Sequence, residues 1–162
     1  MLPMKLALTT WKQNKNSASV NYGPLTFSLK IDEKYIKAES DKTAIGDSKW
    51  QKGVNKEEWP SYEIQAASPW NYGLYLTPHS DLSGFKVMKK SWPKDNFPFT
   101  PDAAPIYIVA QGKQIPEWNI DANGLAGRLM QSPVTTSQPL KEITLIPMGA
   151  ARLRISQFPV VK

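Results

Sequence analysis

Five acids, Glu57, Glu58, Glu63, Glu117 and Asp121, stand close to aromatic residues along this chain. Cleavage of a glycosidic bond takes two carboxyl groups, about 5 Å apart for retention or about 6.5 to 9.5 Å for inversion. Glu63 would lie opposite Glu117 if their strands paired. Acids beside tryptophan at strand ends are more often a solvated rim, so no catalytic residue is assigned. His79 is the single histidine, in Thr-Pro-His-Ser-Asp. Its neighbours Ser80 and Asp81 follow it along one turn, whereas a triad needs groups converging from different elements. A turn histidine capping its own backbone accounts for it. With one histidine and no cysteine, a transition-metal site lacks ligands, and no metal is assigned. Calcium held by oxygens around Asp95 and Asn96, or Asp121 with Asn123, stays open. No phosphate-cradling glycine loop or nucleotide fingerprint is present, so no cofactor is expected.

The aromatic residues are the better candidates. Sugars offer apolar C–H faces that stack on indole and phenol rings while hydrogen bonds set their orientation. Trp59, Trp70, Tyr72, Trp92 and Trp118 fall near strand ends or loops with polar neighbours and are the candidate carbohydrate-binding residues. Rings of this kind more often fill a core or dock on another domain than contact sugar. Trp50, in a polar loop, and Trp92, beside Lys90 and Pro93, are expected at the surface. Arg152 and Arg154 are two apart and would share a face of a final strand.

A chain of 162 residues is about one domain, and residues 1–162 are read as a single β-sandwich. Fourteen prolines and nine glycines are spread between short apolar runs, which favours many turns over a disordered tail. Without cysteine, disulfides and thiolate chemistry are excluded. The net charge of +6 comes from 17 lysines and three arginines scattered among 14 acids. Nucleic-acid surfaces more often cluster arginine, so no nucleic-acid partner is expected. No apolar run reaches the ~20 residues of a membrane helix, and Met1 to Leu8 is too short for a signal peptide. A soluble chain without membrane contact is expected.

Alternation of apolar and polar residues predicts strands over 4–10 and 25–31, the latter with Leu25, Phe27, Leu29 and Ile31 on one face. Residues 32–58 turn to lysine, acid, serine and glycine and read as a surface excursion with room for a short helix. Further strands are predicted over 62–67, 71–77, 85–89 and 105–111. The last is apolar on both faces and hence central, with 114–118 pairing back after a Gly112-Lys113 turn. The end reads as two strands, 142–148 and 151–158, around Gly149. Eight to ten short strands with irregular loops make an all-β, antiparallel, jelly-roll-like sandwich.

Three blocks in order carry a resemblance: Tyr22-Gly-Pro-Leu-Thr-Phe-Ser-Leu-Lys-Ile31, Tyr62 through Pro69-Trp-Asn-Tyr-Gly-Leu74, and Glu142-Ile-Thr-Leu-Ile-Pro-Met-Gly-Ala-Ala-Arg-Leu-Arg-Ile-Ser-Gln-Phe-Pro159. Ala104-Pro-Ile and Gln114-Ile-Pro-Glu-Trp118 lie between them. In series they resemble the C-terminal region of bacterial β-L-arabinofuranosidase-like glycoside hydrolases of family 127, where β-sandwich domains follow an (α/α)6 barrel. The resemblance covers nearly the whole chain, least typically the 32–58 excursion. It implies a detached, non-catalytic tail, because the family's cysteine nucleophile, glutamate and cysteine-rich zinc site belong to the barrel. Its implied partners are the upstream barrel, a middle β-sandwich and plant-type glycans, and its implied compartment is extracytoplasmic if the parent chain is exported. The alternative is a free-standing carbohydrate-binding module using surface tryptophans.

Overall fold

The structure, a computed structural model, describes residues 3–38, 57–58, 60–77 and 82–162. It is an all-β sandwich. An eight-stranded sheet runs in the order β1 (Leu6–Trp11), β2 (Ser17–Tyr22), β3 (Leu25–Leu29), β9 (Leu140–Pro147), β8 (Ile106–Gln114), β6 (Tyr72–Tyr75), β10 (Val160–Val161), with β7 (Lys86–Lys89) paired to the first half of β8. Every pair is antiparallel except β6 with β10. A separate hairpin joins β4 (Glu33–Ala38) to β5 (Ser61–Ala66). Trp50, Trp59 and His79 lie outside the described residues.

The sheet curls until its ends meet through the C-terminal segment. Leu29 N–H donates to Ile155 O at 2.8 Å, and Ala18 and Phe158 exchange backbone bonds of 2.8 and 2.9 Å. Val160 and Val161 then lie along Leu74 and Tyr75 of β6. One irregular run thereby bonds to β3, β2 and β6 in turn. Alternation along each strand explains what the curl encloses. Val20, Phe27, Leu29, Leu74, Ile108, Ala110, Ile143, Leu145 and Phe158 converge inside, all within 5% of full burial. Two smaller clusters cover the outside of the sheet. One gathers Ala104, Ile146, Ala150 and Ala151 around a 3-10 turn, and the other Ile115, Trp118 and Val161.

β8 is central, as its two apolar faces predict, and bonds to β9 on one side and to β6 and β7 on the other. Four details differ from the sequence reading. Gly112-Lys113 is not a turn: β8 runs straight through to Gln114, and a Cβ on Gly112 would sit 2.7 Å from Gly73 O. The glycine marks close backbone approach between β8 and β6. The chain turns afterwards, where Trp118 N–H donates to Ile115 O at 3.0 Å. Residues 151–157 alternate like a strand yet have no continuous ladder partner, so they are irregular. β2 and β4, both short of large apolar residues, are additional strands.

Edges are managed by charge. β7 presents Lys86 and Lys89 at its exposed side and is followed by Lys90 and Pro93, which discourages another strand from adding there.

Gly73 is the tightest point of the closure, since a Cβ there would meet Val161 Cγ1 at 2.4 Å and Pro159 O at 3.0 Å. Gly73→Ala is expected to lower unfolding free energy by about 1–3 kcal/mol through overpacking. Gly149→Ala, with nothing within 4 Å of the new Cβ, should stay within about 0.5 kcal/mol of the parent. Chemical denaturation of both variants checks the pair; equal stabilities would show that the closure tolerates a methyl group at β6.

Candidate functional site

A cleft of about 880 Å³ opens between the β4–β5 hairpin, the 120–126 loop and the 152–155 run. Its volume falls in the ~300–1,000 Å³ range of small-ligand sites. Trp70, Asn71 and Gln114 line it, and Ile31, Leu153 and Ile155 supply apolar surface. Glu63 to Ala66 contribute the hairpin wall, Arg152 and Arg154 the wall formed by the irregular run.

Trp70 is half-buried and held edge-on against Trp118, with ring centroids 5.1 Å apart at 70°. Trp118 is 3% exposed, and its indole N–H donates to Gly127 O at 3.0 Å. Asn71 is spent on structure. Its Nδ2 donates to Ile115 O at 2.9 Å and Trp118 O at 3.2 Å, while its Oδ1 accepts from Gln114 Nε2 at 3.0 Å. The amides beside Trp70 are therefore fixed in place before any ligand arrives.

The 120–126 loop is a tight turn of a kind that Asp-Ala-Asn-Gly encodes. Asp121 Oδ1 accepts from the backbone N–H of Asn123 (2.8 Å) and Leu125 (3.0 Å), and Gly124 takes the left-handed φ of +76°. The turn holds Ile120 and Leu125 out, 55% and 64% exposed, as an apolar lip.

One ionic knot fastens the hairpin to the opposite wall. Glu33, its side chain 8% exposed, accepts from Arg152 Nη1 at 3.5 Å, from Arg152 N–H at 3.4 Å and from the Tyr35 hydroxyl at 2.6 Å. The Arg152 guanidinium also lies 5.9 Å from the Tyr35 ring centroid, and Tyr35 meets Tyr62 edge-on at 6.0 Å. The Tyr35–Glu33 hydrogen bond, with some desolvation and the Glu33 charge, raises the Tyr35 phenol above its ordinary value, against the pull of Arg152.

Arg154 differs from Arg152. Its Nε donates to Ala151 O at 2.8 Å, and no carboxylate among the described residues pairs with its guanidinium. Trp70 likewise stands apart from the other described tryptophans. Trp11, Trp92 and Trp118 give their indole N–H to Ser19 Oγ, Asn96 Oδ1 and Gly127 O, whereas Trp70 meets no acceptor among the described residues.

Of the four aromatic candidates among the described residues, Trp70 alone lines the cleft. Tyr72, 8% exposed, and Trp118 take the core role that such rings also allowed. Trp92 is 59% exposed on the 91–105 loop, with Phe97 and Phe99 nearby at 51% and 58%. Trp59 is outside the described residues. Glu63 and Glu117 do not face one another, because β5 pairs with β4 and places Glu63 opposite Ile36. Arg152 and Arg154 do meet a common site, although not on a strand. Asp95 Oδ1 accepts from Phe97 N–H and Asn96 Oδ1 from Trp92, so, like Asp121, both serve turns. Among the described residues no group of three or more histidines and acids could hold a metal ion. Glu33, Gln114, Ile120 and Leu125 belong to the site without having been singled out in the sequence; the Asp121-to-Gly124 turn signature is the one local signal that pointed to the lip.

The Tyr35–Glu33 bond has a pH consequence. A phenol whose folded value is raised contributes stability that is present below the ordinary tyrosine range and is lost as pH rises through the Tyr35 value. Glu33→Gln removes the charge and is expected to bring the Tyr35 titration midpoint down. Carbon NMR of labelled tyrosine across alkaline pH reads this directly, and an unchanged Tyr35 midpoint would mean that Glu33 does not control the phenol.

No protein-family model, no curated protein and no solved structure matches the chain.

Proposed function

We propose that this chain is a non-catalytic β-sandwich module of a β-L-arabinofuranosidase-like glycoside hydrolase and that it contacts plant-type glycan through the cleft beside Trp70. The carrying observation is the setting of Trp70: a half-buried indole with fixed amides beside it, Glu63 and Arg154 on facing walls, and an apolar lip. A sugar face can lie on apolar surface while its hydroxyls reach the polar groups around it. Of the acids described, Glu63 alone lines the cleft, and the two-carboxylate route needs a pair. Binding is favoured over turnover on that ground.

Attachment to a catalytic barrel is the other half of the reading. It is supported by the series of sequence blocks that resemble the tail of those hydrolases, and by the exposed trio Trp92, Phe97 and Phe99 on a proline-punctuated loop. Phe97 and Phe99 meet edge-on with centroids 5.5 Å apart, and exposed apolar surface of this sort marks contact surfaces. A free-standing carbohydrate-binding module remains the second reading, and Trp92 at 59% exposure is what favours it.

Titration of the full chain with arabino-oligosaccharides, followed by the indole N–H resonances, separates these. Saturable shifts of Trp70 and of the 120–126 loop are expected. Leu125→Ser should weaken binding about five-fold by removing apolar contact, with unfolding free energy within about 0.5 kcal/mol of the parent. Shifts confined to Trp92 would favour the free-standing module, and no shift at any tryptophan would overturn the glycan reading.

A further inference from the structure

We infer that the ligand of this cleft is an acidic glycan, one whose uronic-acid carboxylate is taken by Arg154. The inference rests on the glycan reading and specifies which sugars that site selects. Its starting point is an imbalance of donors. Arg152 is satisfied by Glu33, at 3.5 Å for the ion pair. Arg154 lines the same wall, is tethered through Nε to Ala151 O, and pairs with no carboxylate among the described residues. Its remaining N–H groups are the fork that binds a carboxylate in two places at once. Trp70 adds an indole N–H that meets no acceptor among the described residues. Two walls thus offer donors without acceptors, which suits a ligand richer in acceptors than a neutral pentose.

Glu63 sets the direction. It is the acid lining the cleft, and its Oε1 already accepts from Gln65 Nε2 at 2.8 Å. A ligand carboxylate is repelled from that wall and drawn to Arg154, while sugar hydroxyls donate to Glu63. The apolar surface of Leu153, Ile155, Ile120 and Leu125 is there for the C–H face of the ring. A carboxylate alone would leave this surface uncovered, which argues for a uronide over a free anion or an acidic peptide.

Trigalacturonate and its carboxyl-reduced counterpart, titrated separately into the full chain at low salt, test the inference with the protein unchanged. The acid is expected to bind about tenfold or more tightly than the reduced sugar, as hydrogen bonds to a charged group allow, and to shift the Trp70 indole resonance. Arg154→Gln should erase the difference and Arg154→Lys retain part of it, with circular dichroism showing both folded. If the reduced sugar binds as well as the acid, the inference fails and the glycan reading stands. If neither these sugars nor arabino-oligosaccharides bind, both fail. If acetate or a glutamate-rich peptide binds as tightly as trigalacturonate, the site selects carboxylate without sugar and the inference is overturned.

Discussion

The closing of the sheet by its own C-terminal run is the constraint from which the remaining architecture follows. A curled sheet of short strands leaves two rows of unpaired backbone groups, and each such edge is open to another strand. Residues 155–161 satisfy part of β3, β2 and β6 in succession. The same run inserts Phe158, Pro159 and Val161 as fully or nearly fully buried side chains. Backbone pairing and apolar burial thereby reinforce each other at one seam. The lack of a side chain at Gly73 is what lets β10 come close enough to pair.

The cleft is a by-product of that closure. To leave β9 and reach β2, the chain must cross the mouth of the curl, and Arg152 to Ile155 are the residues that cross it. Along this stretch both the charged side chains, Arg152 and Arg154, and the apolar ones, Leu153 and Ile155, line the cleft. The β4–β5 hairpin stands outside the main sheet and has little core of its own. Asp32 N–H on Ser68 Oγ at 2.9 Å and Ala67 N–H on Asp32 O at 2.7 Å continue the hairpin's own ladder past Glu33 and Ala66. The hairpin wall and the crossing wall are tied to each other by Glu33, whose carboxylate takes both the guanidinium and the backbone N–H of Arg152.

What the sequence made legible follows the hydrophobic period. β3, β8 and β9 alternate large apolar residues and form close to where strands were expected, β8 at the centre as its two apolar faces predict, with Phe27, Ile108 and Leu145 at 0% exposure. β2 was hidden because Ser17, Ala18 and Ser19 are buried through smallness, not hydrophobicity, at 0–4% exposure. β4 was hidden because Glu-Lys-Tyr-Ile-Lys-Ala pairs with β5 alone and keeps its two lysines in water. The opposite error arose at 151–158, where Arg-Leu-Arg-Ile has the alternation of a strand, while the run makes only scattered bonds at Ile155 and Phe158 and no continuous ladder. Periodicity reports which faces are apolar; it does not report whether a neighbouring backbone is there. The cleft was legible only in part for the same reason. Trp70 stood out by type, yet Gln114 and Glu33 acquire their roles through partners 43 and 119 residues away.

The tryptophans show how one residue type divides between structure and surface. An indole carries a large apolar ring and a single donor, so burial is favourable only where that donor finds an acceptor. Trp118 reaches this condition through Gly127 O and can be fully enclosed. Trp11 and Trp92 satisfy the donor at the surface, 45% and 59% exposed, using Ser19 and Asn96. Trp70 meets neither arrangement: packing against Trp118 holds its ring, and its N–H has no partner among the described residues. A ring fixed on one side with its donor unspent, next to a guanidinium in the same condition, puts the unsatisfied hydrogen-bonding capacity of this stretch into one cleft. Trp92, the more exposed ring, has already given its N–H to Asn96, so the donor left over among the described tryptophans is that of Trp70, in the cleft that Arg154 also lines.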